Sequence, residues 1–381
     1  MRITIDISQV AYRGSGVANY TGELVKQLLK LDRTNSYCLF GYSFGLLENL
    51  KEIVRDLPPH PKLKTVLIRL PQTLLSAWGN SLHRFNIENL TGESDIFHSS
   101  DWIQFPSRSL KVTTVHDLVA YLFPETSSPL IVSQQRRRME HVKKEADLIF
   151  SDSESTKIDL GKILKIKPTR IRTIYPGVNS LFQAKTDNED RMVLGKYGIK
   201  GRYFLAVGTQ ELRKNLETAC GAFELFRQKL TDTDSSSEVF LVLTGKKGWS
   251  GILPQVQNMI NAGMVPDTEL AALYRRAEAL LFPSLYEGFG FTVLEAMKSG
   301  CPVITSRRGS LPEVGGGAVL YADPENRQDL AGKIYRLYSD GDFRRKLVEK
   351  GFIQSGKFSW QKTAAEVLEN YEQLFKKAKK E

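Results

Sequence analysis

Short apolar runs alternate with segments of helical periodicity along the whole chain, and this alternation constrains the fold more than any other feature. Runs of Val, Ile, Leu and Phe without polar alternation suit strands covered on both faces, as in parallel sheets. In the first half, strands are expected at 2–7, 37–42, 64–69, 95–98, 112–116, 147–150 and 171–174, and helices at 17–31, 46–55, 73–86, 131–145 and 154–163. The series restarts at Tyr203–Gly208 and continues with helix 215–229, strand 239–244, helices 252–262 and 267–276, and strand 279–282. Such regular turns of strand and helix imply α/β layers. The turn-rich stretch Tyr175-Pro176-Gly177-Val178-Asn179 separates the two series. Domains are therefore expected at 1–176 and 177–358, and 381 residues suffice for two cores.

The formal net charge is +10, and part of it clusters at Arg136-Arg137-Arg138 with Lys143-Lys144 and at Lys376-Lys377 with Lys379-Lys380. No nucleic-acid-binding motif accompanies these clusters, so nucleic acid is not an expected partner. They read either as solvated faces or as attraction to an anionic membrane surface, where each nearby cation contributes about 1 kcal/mol. Leu74-Leu75-Ser76-Ala77-Trp78 reads either as core packing or as an apolar face for such contact. Cys38, Cys220 and Cys301 are isolated, which argues against a disulfide framework or a cysteine zinc site and for a reducing, cytoplasmic setting. Because Met1–Asp6 already reads as a strand, no apolar signal segment is expected, and no apolar run approaches membrane-spanning length.

Chemistry concentrates in Glu287-Gly-Phe-Gly-Phe-Thr-Val-Leu-Glu295. Two carboxylates flank a glycine bend in which Gly288, Phe289 and Gly290 allow close backbone approach to a ligand. Thr292 and Glu295 have capping-box spacing, so a helix with free N–H groups is expected to begin there, and Phe291 lies at the bend. Strand, bend and helix start form an anion site between two hydroxyl acceptors, which suits a sugar nucleotide. A capping residue and a solvated loop charge are the plainer reading of the same two glutamates. Ser310-Leu311-Pro312-Glu313 repeats the capping-box spacing at the next helix. Arg213-Lys214 follows the strand ending near Gly208, with Asn215 as an expected cap; a guanidinium fork and an ammonium there could neutralise a leaving diphosphate. Gly14-Ser15-Gly16 precedes a helix, but Asn19 stands where a dinucleotide fingerprint needs glycine or alanine. His116 and Asp117 end an apolar strand, a place where histidine is often structural. Asp232-Thr233-Asp234 has the form of a metal–diphosphate motif but precedes a strand rather than following one.

Taken together, these segments resemble the family 4 retaining glycosyltransferases of bacterial polysaccharide assembly. The likeness rests on the E-x7-E run from Glu287 to Glu295, Leu311-Pro312-Glu313-Val314, Arg213-Lys214-Asn215, and His116-Asp117-Leu118 with Pro124-Glu125. It departs at Asn19, where many members have arginine, and at Gly315-Gly316-Gly317, where members often carry an acidic residue. The resemblance implies the GT-B architecture, in which two Rossmann-like domains face each other across a cleft and a final helix, here 359–381, returns to the first. It implies a donor-binding second domain and an acceptor-binding first domain. His116, Arg213, Lys214 and Glu287 would be catalytic. Gly14, Gly16, Phe289, Gly290, Phe291, Thr292 and Glu295 would bind the donor, with base contacts from backbone near Met264–Asp267. Asn19 and Asp117 would meet the acceptor, or Asp117 would position His116. Front-face displacement from a nucleoside-diphosphate hexose to a saccharide or lipid-linked saccharide follows, with no metal or other cofactor. UDP-glucose is the first expected donor and GDP-mannose the second. A sugar-nucleotide 2-epimerase shares this architecture; a non-catalytic sugar-nucleotide sensor would be expected to have lost Arg213, Lys214 or Glu287, which are intact.

Overall fold

The computed structural model describes residues 1–12, 14–185, 189–231, 238–248 and 254–380. The chain divides into two compact units, Met1–Gly177 with Ser359–Glu381, and Val178–Phe358. The first contains strands β1 (Arg2–Asp6), β2 (Ser36–Tyr42), β3 (Leu63–Ile68), β4 (Ile96–Ser99), β5 (Leu110–Val115), β6 (Leu148–Ser151) and β7 (Ile171–Thr173). They form one sheet in the order β3-β2-β1-β4-β5-β6-β7, parallel throughout. The second holds β8 (Arg202–Val207), β9 (Val239–Thr244), β10 (Met259–Gly263), β11 (Leu280–Phe282), β12 (Val303–Thr305) and β13 (Leu320–Tyr321). Its order, β10-β9-β8-β11-β12-β13, repeats the plan, again with parallel pairing.

Unbroken apolar strands are what this arrangement requires, because a central parallel strand is covered on both faces. In the second unit, Phe204, Leu241, Leu281 and Ile304 form one core with Ala219, Phe223 and Phe226 of helix Leu216–Thr231 and with Leu330, Ile334 and Leu337 of helix Arg327–Ser339. Two expected elements differ. The segment read as helix 252–262 supplies the edge strand β10, because the Met259-Ile260 pair fits either period and pairs with Leu241 and Val242 of β9. The helix expected at 73–86 is α-helical only over Gln72–Ser76. It widens to a π-turn over Ala77–Leu82 and stops at His83, whose backbone is left-handed (φ 47°) and whose ring bonds back to the Gly79 carbonyl. Asp232 and Asp234 lie outside the described residues.

Helix Trp360–Ala378 belongs to the first unit. Ser359 caps it, accepting from the Lys362 N–H, and Trp360, Thr363, Ala364, Val367 and Tyr371 bury one face while the helix packs beside helix Gly16–Leu31. Its Tyr371 hydroxyl lies 2.5 Å from His98 Nδ1, and His98 Nε2 lies 2.9 Å from Thr114 Oγ1. Burial pushes the His98 ring down to about 3, so it is a neutral structural residue of β4. No helix among the described residues is long and apolar enough to cross a membrane.

The basic run in helix Pro129–Glu145 does not form a single charged face. Arg136 and Arg137 are exposed, but Arg138 is buried, 3.1 Å from Asp101 Oδ1, and donates to Thr113 Oγ1 (2.8 Å) and the Thr114 carbonyl. Arg138 therefore joins the helix to β5 and cannot contribute to a surface patch. Arg138→Gln should cost about 3 kcal/mol or more, because it leaves Asp101 without its buried cation and removes two hydrogen bonds donated to β5, whereas Arg137→Gln should be nearly neutral. Chemical denaturation of the two variants measures this; equal midpoints would refute the structural role.

Candidate active site

In the second sheet the strand order reverses between β8 and β11, and the loops leaving their carboxyl ends bound the crevice where open α/β sheets take ligands. β8 leads into a 3₁₀ turn, Leu212–Lys214, that carries the two cations. Asn215 closes the turn in the left-handed region (φ 54°), and its side-chain amide donates to the carbonyls of Pro283 (3.1 Å) and Pro324 (2.7 Å). The Leu285 N–H donates to the Arg213 carbonyl at 2.8 Å, so the loops after β8 and β11 are tied together.

Glu287 is the centre of this arrangement. Its Oε1 accepts from Lys214 Nζ at 2.8 Å and from Ser284 Oγ at 2.6 Å, and its Oε2 lies 3.0 Å from the Arg213 guanidinium. Arg213 also donates to the Tyr286 carbonyl at 2.7 Å. Burial would raise the Glu287 pKa, but the two cations prevail and hold it at about 2, so the carboxylate is ionised across the physiological range. The Glu287 carbonyl accepts from the Ser310 N–H (3.1 Å), and Ser310 Oγ donates to the Phe289 carbonyl (2.5 Å). Gly309 (φ +54°) makes this approach possible, since a Cβ there would lie 2.5 Å from the Glu287 oxygen.

Neither expected capping box forms. Helix Phe291–Lys298 begins before Thr292 because Gly290 takes φ +108° and ends the bend itself, without a side-chain cap. Thr292 therefore lies within the first turn and Glu295 one turn further on, its Oε2 3.4 Å from the Tyr274 hydroxyl. Burial, with the charge of Asp267 adding to it, pushes the Glu295 carboxyl up to about 8. Ser310 is helical rather than extended and spends its hydroxyl on the Glu287 bend instead of on its own helix. The Phe289 ring is buried edge-on to Phe291 (5.0 Å) and Phe358 (5.8 Å), which leaves its backbone to line the bend.

In the first unit, His116 follows β5 and Asp152 follows β6, one residue beyond the paired Val115 and Ser151. His116 Nδ1 and Asp152 Oδ2 are 2.6 Å apart, and Tyr20 packs edge-on to the imidazole at 4.7 Å. Burial disfavours the charged ring, but Asp152 outweighs it and raises the His116 pKa to about 9. Asp152 is the carboxylate bonded to His116; Asp117 adds to the rise of its pKa and accepts from the Val119 N–H at the next short helix. Gly14 (φ +79°) and Ser15 precede helix Gly16–Leu31, Ser15 Oγ caps it by accepting from the Ala18 N–H, and Gly16 and Asn19 are exposed in its first turn. Where β1, β2, β3 and β4 end, Tyr12, Tyr42, Phe44, Pro71 and Trp102 line a cavity of about 250 Å³, with Tyr12 and Trp102 edge-to-face at 4.9 Å.

Residues 14–180 match the family described as Glycosyltransferase Family 4, and residues 189–354 match Glycosyl transferases group 1. The chain belongs to the family 4 glycosyltransferases. It is 28% identical to O-antigen chain mannosyltransferase B of Escherichia coli, over 98% of this chain and 100% of that one. It is 30% identical to the serotype-specific mannosyltransferase WbdA of E. coli over 60% of this chain, a match that spans 29% of that longer protein. Among solved structures, Anabaena Alr3699/HepE in complex with UDP-glucose superposes with a TM-score of 0.73, at 15% identity over 98% of this chain and 100% of that one. Sucrose-phosphate synthase from Thermosynechococcus elongatus superposes with a TM-score of 0.72, at 18% identity over 98% of this chain and 99% of that one. The glycosyltransferase has the two-domain α/β GT-B fold.

Three supporting residues of this glycosyltransferase escaped the sequence reading. Asp152 ends an apolar strand just as His116 does, and the tendency of successive strands to be neighbours could have paired them. Ser284 carries no such signal, and Ser310 has the spacing of a cap instead, since both roles depend on a bend that only the fold creates. The His116–Asp152 pair has a defined pH signature. A folded pKa above the ordinary value of 6.5 gives stabilisation that is complete below about pH 6.5 and is lost as pH rises through about 9. The enzyme should therefore exceed Asp152→Asn by about 1–3 kcal/mol at pH 6, with the gap shrinking above pH 9. Urea denaturation at several pH values measures it, and a constant gap would mean that His116 is not held protonated.

Proposed function

We propose that this glycosyltransferase moves mannose, with retention of configuration and without a metal ion in the reaction, from a nucleoside-diphosphate mannose to a free or lipid-linked saccharide in polysaccharide assembly. The observation that carries the reading is the Arg213–Glu287–Lys214 constellation: two cations share one ionised carboxylate at the switch point of the second sheet. Arg213 also reaches Glu211 Oε2 at 3.4 Å, and a diphosphate is the dianionic group that the two cations together suit. Full-length likeness to an O-antigen chain mannosyltransferase supports mannose over the glucose expected first, and makes GDP-mannose the first donor to try.

In this mechanism Arg213 and Lys214 stabilise negative charge as the bond from the anomeric carbon to the diphosphate breaks. The acceptor hydroxyl attacks on the same face and its proton passes to the departing phosphate oxygen, so positioning and electrostatics supply the catalysis. Glu287, permanently ionised, accepts from hexose hydroxyls. The cavity of the first unit is lined by aromatic side chains, a lining that suits a saccharide and supports acceptor binding by that unit. Arg213→Ala or Lys214→Ala should lower kcat with GDP-mannose by about 100-fold or more, from the loss of about 2.7–4 kcal/mol of transition-state stabilisation. Product formation from GDP-mannose and UDP-glucose, compared side by side, tests the whole reading. Turnover with UDP-glucose alone would overturn mannose, and normal turnover in both variants would remove the cation pair from the mechanism.

Glu295 is proposed to hold the ribose diol. Two donated hydrogen bonds favour the ionised carboxylate, so binding should draw its pKa down from about 8 and release up to about one proton near pH 7. Calorimetric titration of GDP in buffers of different ionisation enthalpy measures the proton count. The release should vanish in Glu295→Gln, and zero release by the unaltered enzyme would place the diol elsewhere.

A further inference from the structure

Outside the groups used above, the first unit brings together His83, His141 and Glu145, residues that the fold converges from segments 58 or more positions apart and from one turn of a helix. One ligand atom from each of the three lies within 4.8 Å of the others. His141 and Glu145 stand four residues apart on helix Pro129–Glu145 and so share a face. His83 comes from the end of the Ala77–Leu82 π-turn, and its ring stacks on that of His141 at 3.7 Å and 11°.

The hydrogen bonds prepare each ring for a metal. A carbonyl can only accept, so His83 Nδ1, 2.6 Å from the Gly79 oxygen, and His141 Nε2, 3.0 Å from the Asn80 oxygen, are the protonated nitrogens. That leaves one lone pair on each ring, at His83 Nε2 and His141 Nδ1, with the opposite edge anchored to backbone as metal-bound histidines usually are. Glu145 adds the carboxylate. Its buried Oε1 lies 2.8 Å from His83 Nε2, a contact that is an ion pair with a protonated ring and leaves the oxygen without a donor when the ring is neutral there. A cation between them would satisfy both. Lys111, 4.0 Å from Glu145 Oε2, is the nearby charge that such an ion would have to displace.

We propose that His83, His141 and Glu145 bind one divalent transition-metal ion of the zinc class, which fastens the 72–83 segment to helix Pro129–Glu145. Two imidazoles and one carboxylate are a zinc-type donor set, whereas Mg²⁺ and Ca²⁺ favour oxygen ligands. The ligands of a tetrahedral zinc ion lie about 3.4 Å apart, so the two stacked rings must tilt for their lone pairs to converge on it. The segment so fastened carries Leu74, Trp78 and Leu82, all substantially exposed, and the ion would hold their presentation constant. The role is structural: the ion takes no part in sugar transfer.

The test is calorimetric titration of the full chain, freed of metal with a chelator, using Zn²⁺ and Mg²⁺, together with visible spectroscopy of the Co²⁺ form. One Zn²⁺ per chain, a tetrahedral Co²⁺ spectrum and no heat from Mg²⁺ are expected. His83→Ala and His141→Ala should each weaken Zn²⁺ binding by about 10–100-fold or more. Glu145→Gln, which keeps the shape of the side chain, guards against misfolding, with circular dichroism confirming the fold of each variant. Stoichiometric Zn²⁺ binding that persists in all three folded variants would assign the ion to other groups, and no binding by the unaltered chain would also overturn the proposal. Chelation that abolished sugar transfer would contradict the structural role while leaving the site itself intact.

Discussion

The Glu287 carboxylate organises the strand-end loops of the second unit. Three donors, from Arg213, Lys214 and Ser284, converge on its two oxygens, and they come from the loops after two neighbouring strands. Removing the carboxylate would leave two cations close together in a largely buried place, with the longer Glu211 contact to Arg213 (3.4 Å) left to offset them, a costly arrangement. The same contacts fix both cations in the turn that leaves β8. The glycine at 309 and the serine at 310 then hold the main chain of Glu287, which leaves the carboxylate little freedom to follow a ligand.

The first unit solves a similar problem differently. There a single acid, Asp152, sits beneath a single base, His116, each one residue beyond paired strand ends. Register in a parallel sheet places residues that follow adjacent strands side by side, so two ordinary chain positions become a coupled pair. Tyr20 and the neighbouring strand ends shield the pair, and shielding strengthens its electrostatics. His98, only one strand away, meets hydroxyls instead of a carboxylate and stays neutral. The contrast between the two imidazoles is set by their partners, since both are buried.

Much of this was legible in the residues. Apolar runs located nearly every strand, because burial on both faces leaves a composition that short windows detect. The cation pair and the two glutamates were found by their positions after strands. What escaped detection depended on geometry that no spacing encodes. Thr292 and Glu295 had capping-box spacing, but Gly290 could enter positive φ and started the helix earlier. Arg138 looked like its exposed neighbours until Asp101 and β5 claimed it. Met259 and Ile260 were too short a signal to separate strand from helix. His83 and Glu145 lie too far apart in the chain for any ligand motif, and no cysteine pairing announces them.

The placement of helix Trp360–Ala378 has a consequence for how the chain is made. The second unit, Val178–Phe358, is continuous, whereas the first is split around it. A ribosome therefore delivers everything the second unit needs before it delivers the last piece of the first. Until Trp360 and Tyr371 emerge, the groove beside helix Gly16–Leu31 lacks its apolar cover and His98 lacks its hydroxyl partner. Domains are usually completed in the order in which they begin. Here the unit that starts first finishes last, so a nascent chain carries a complete second unit while the first still waits for the final helix.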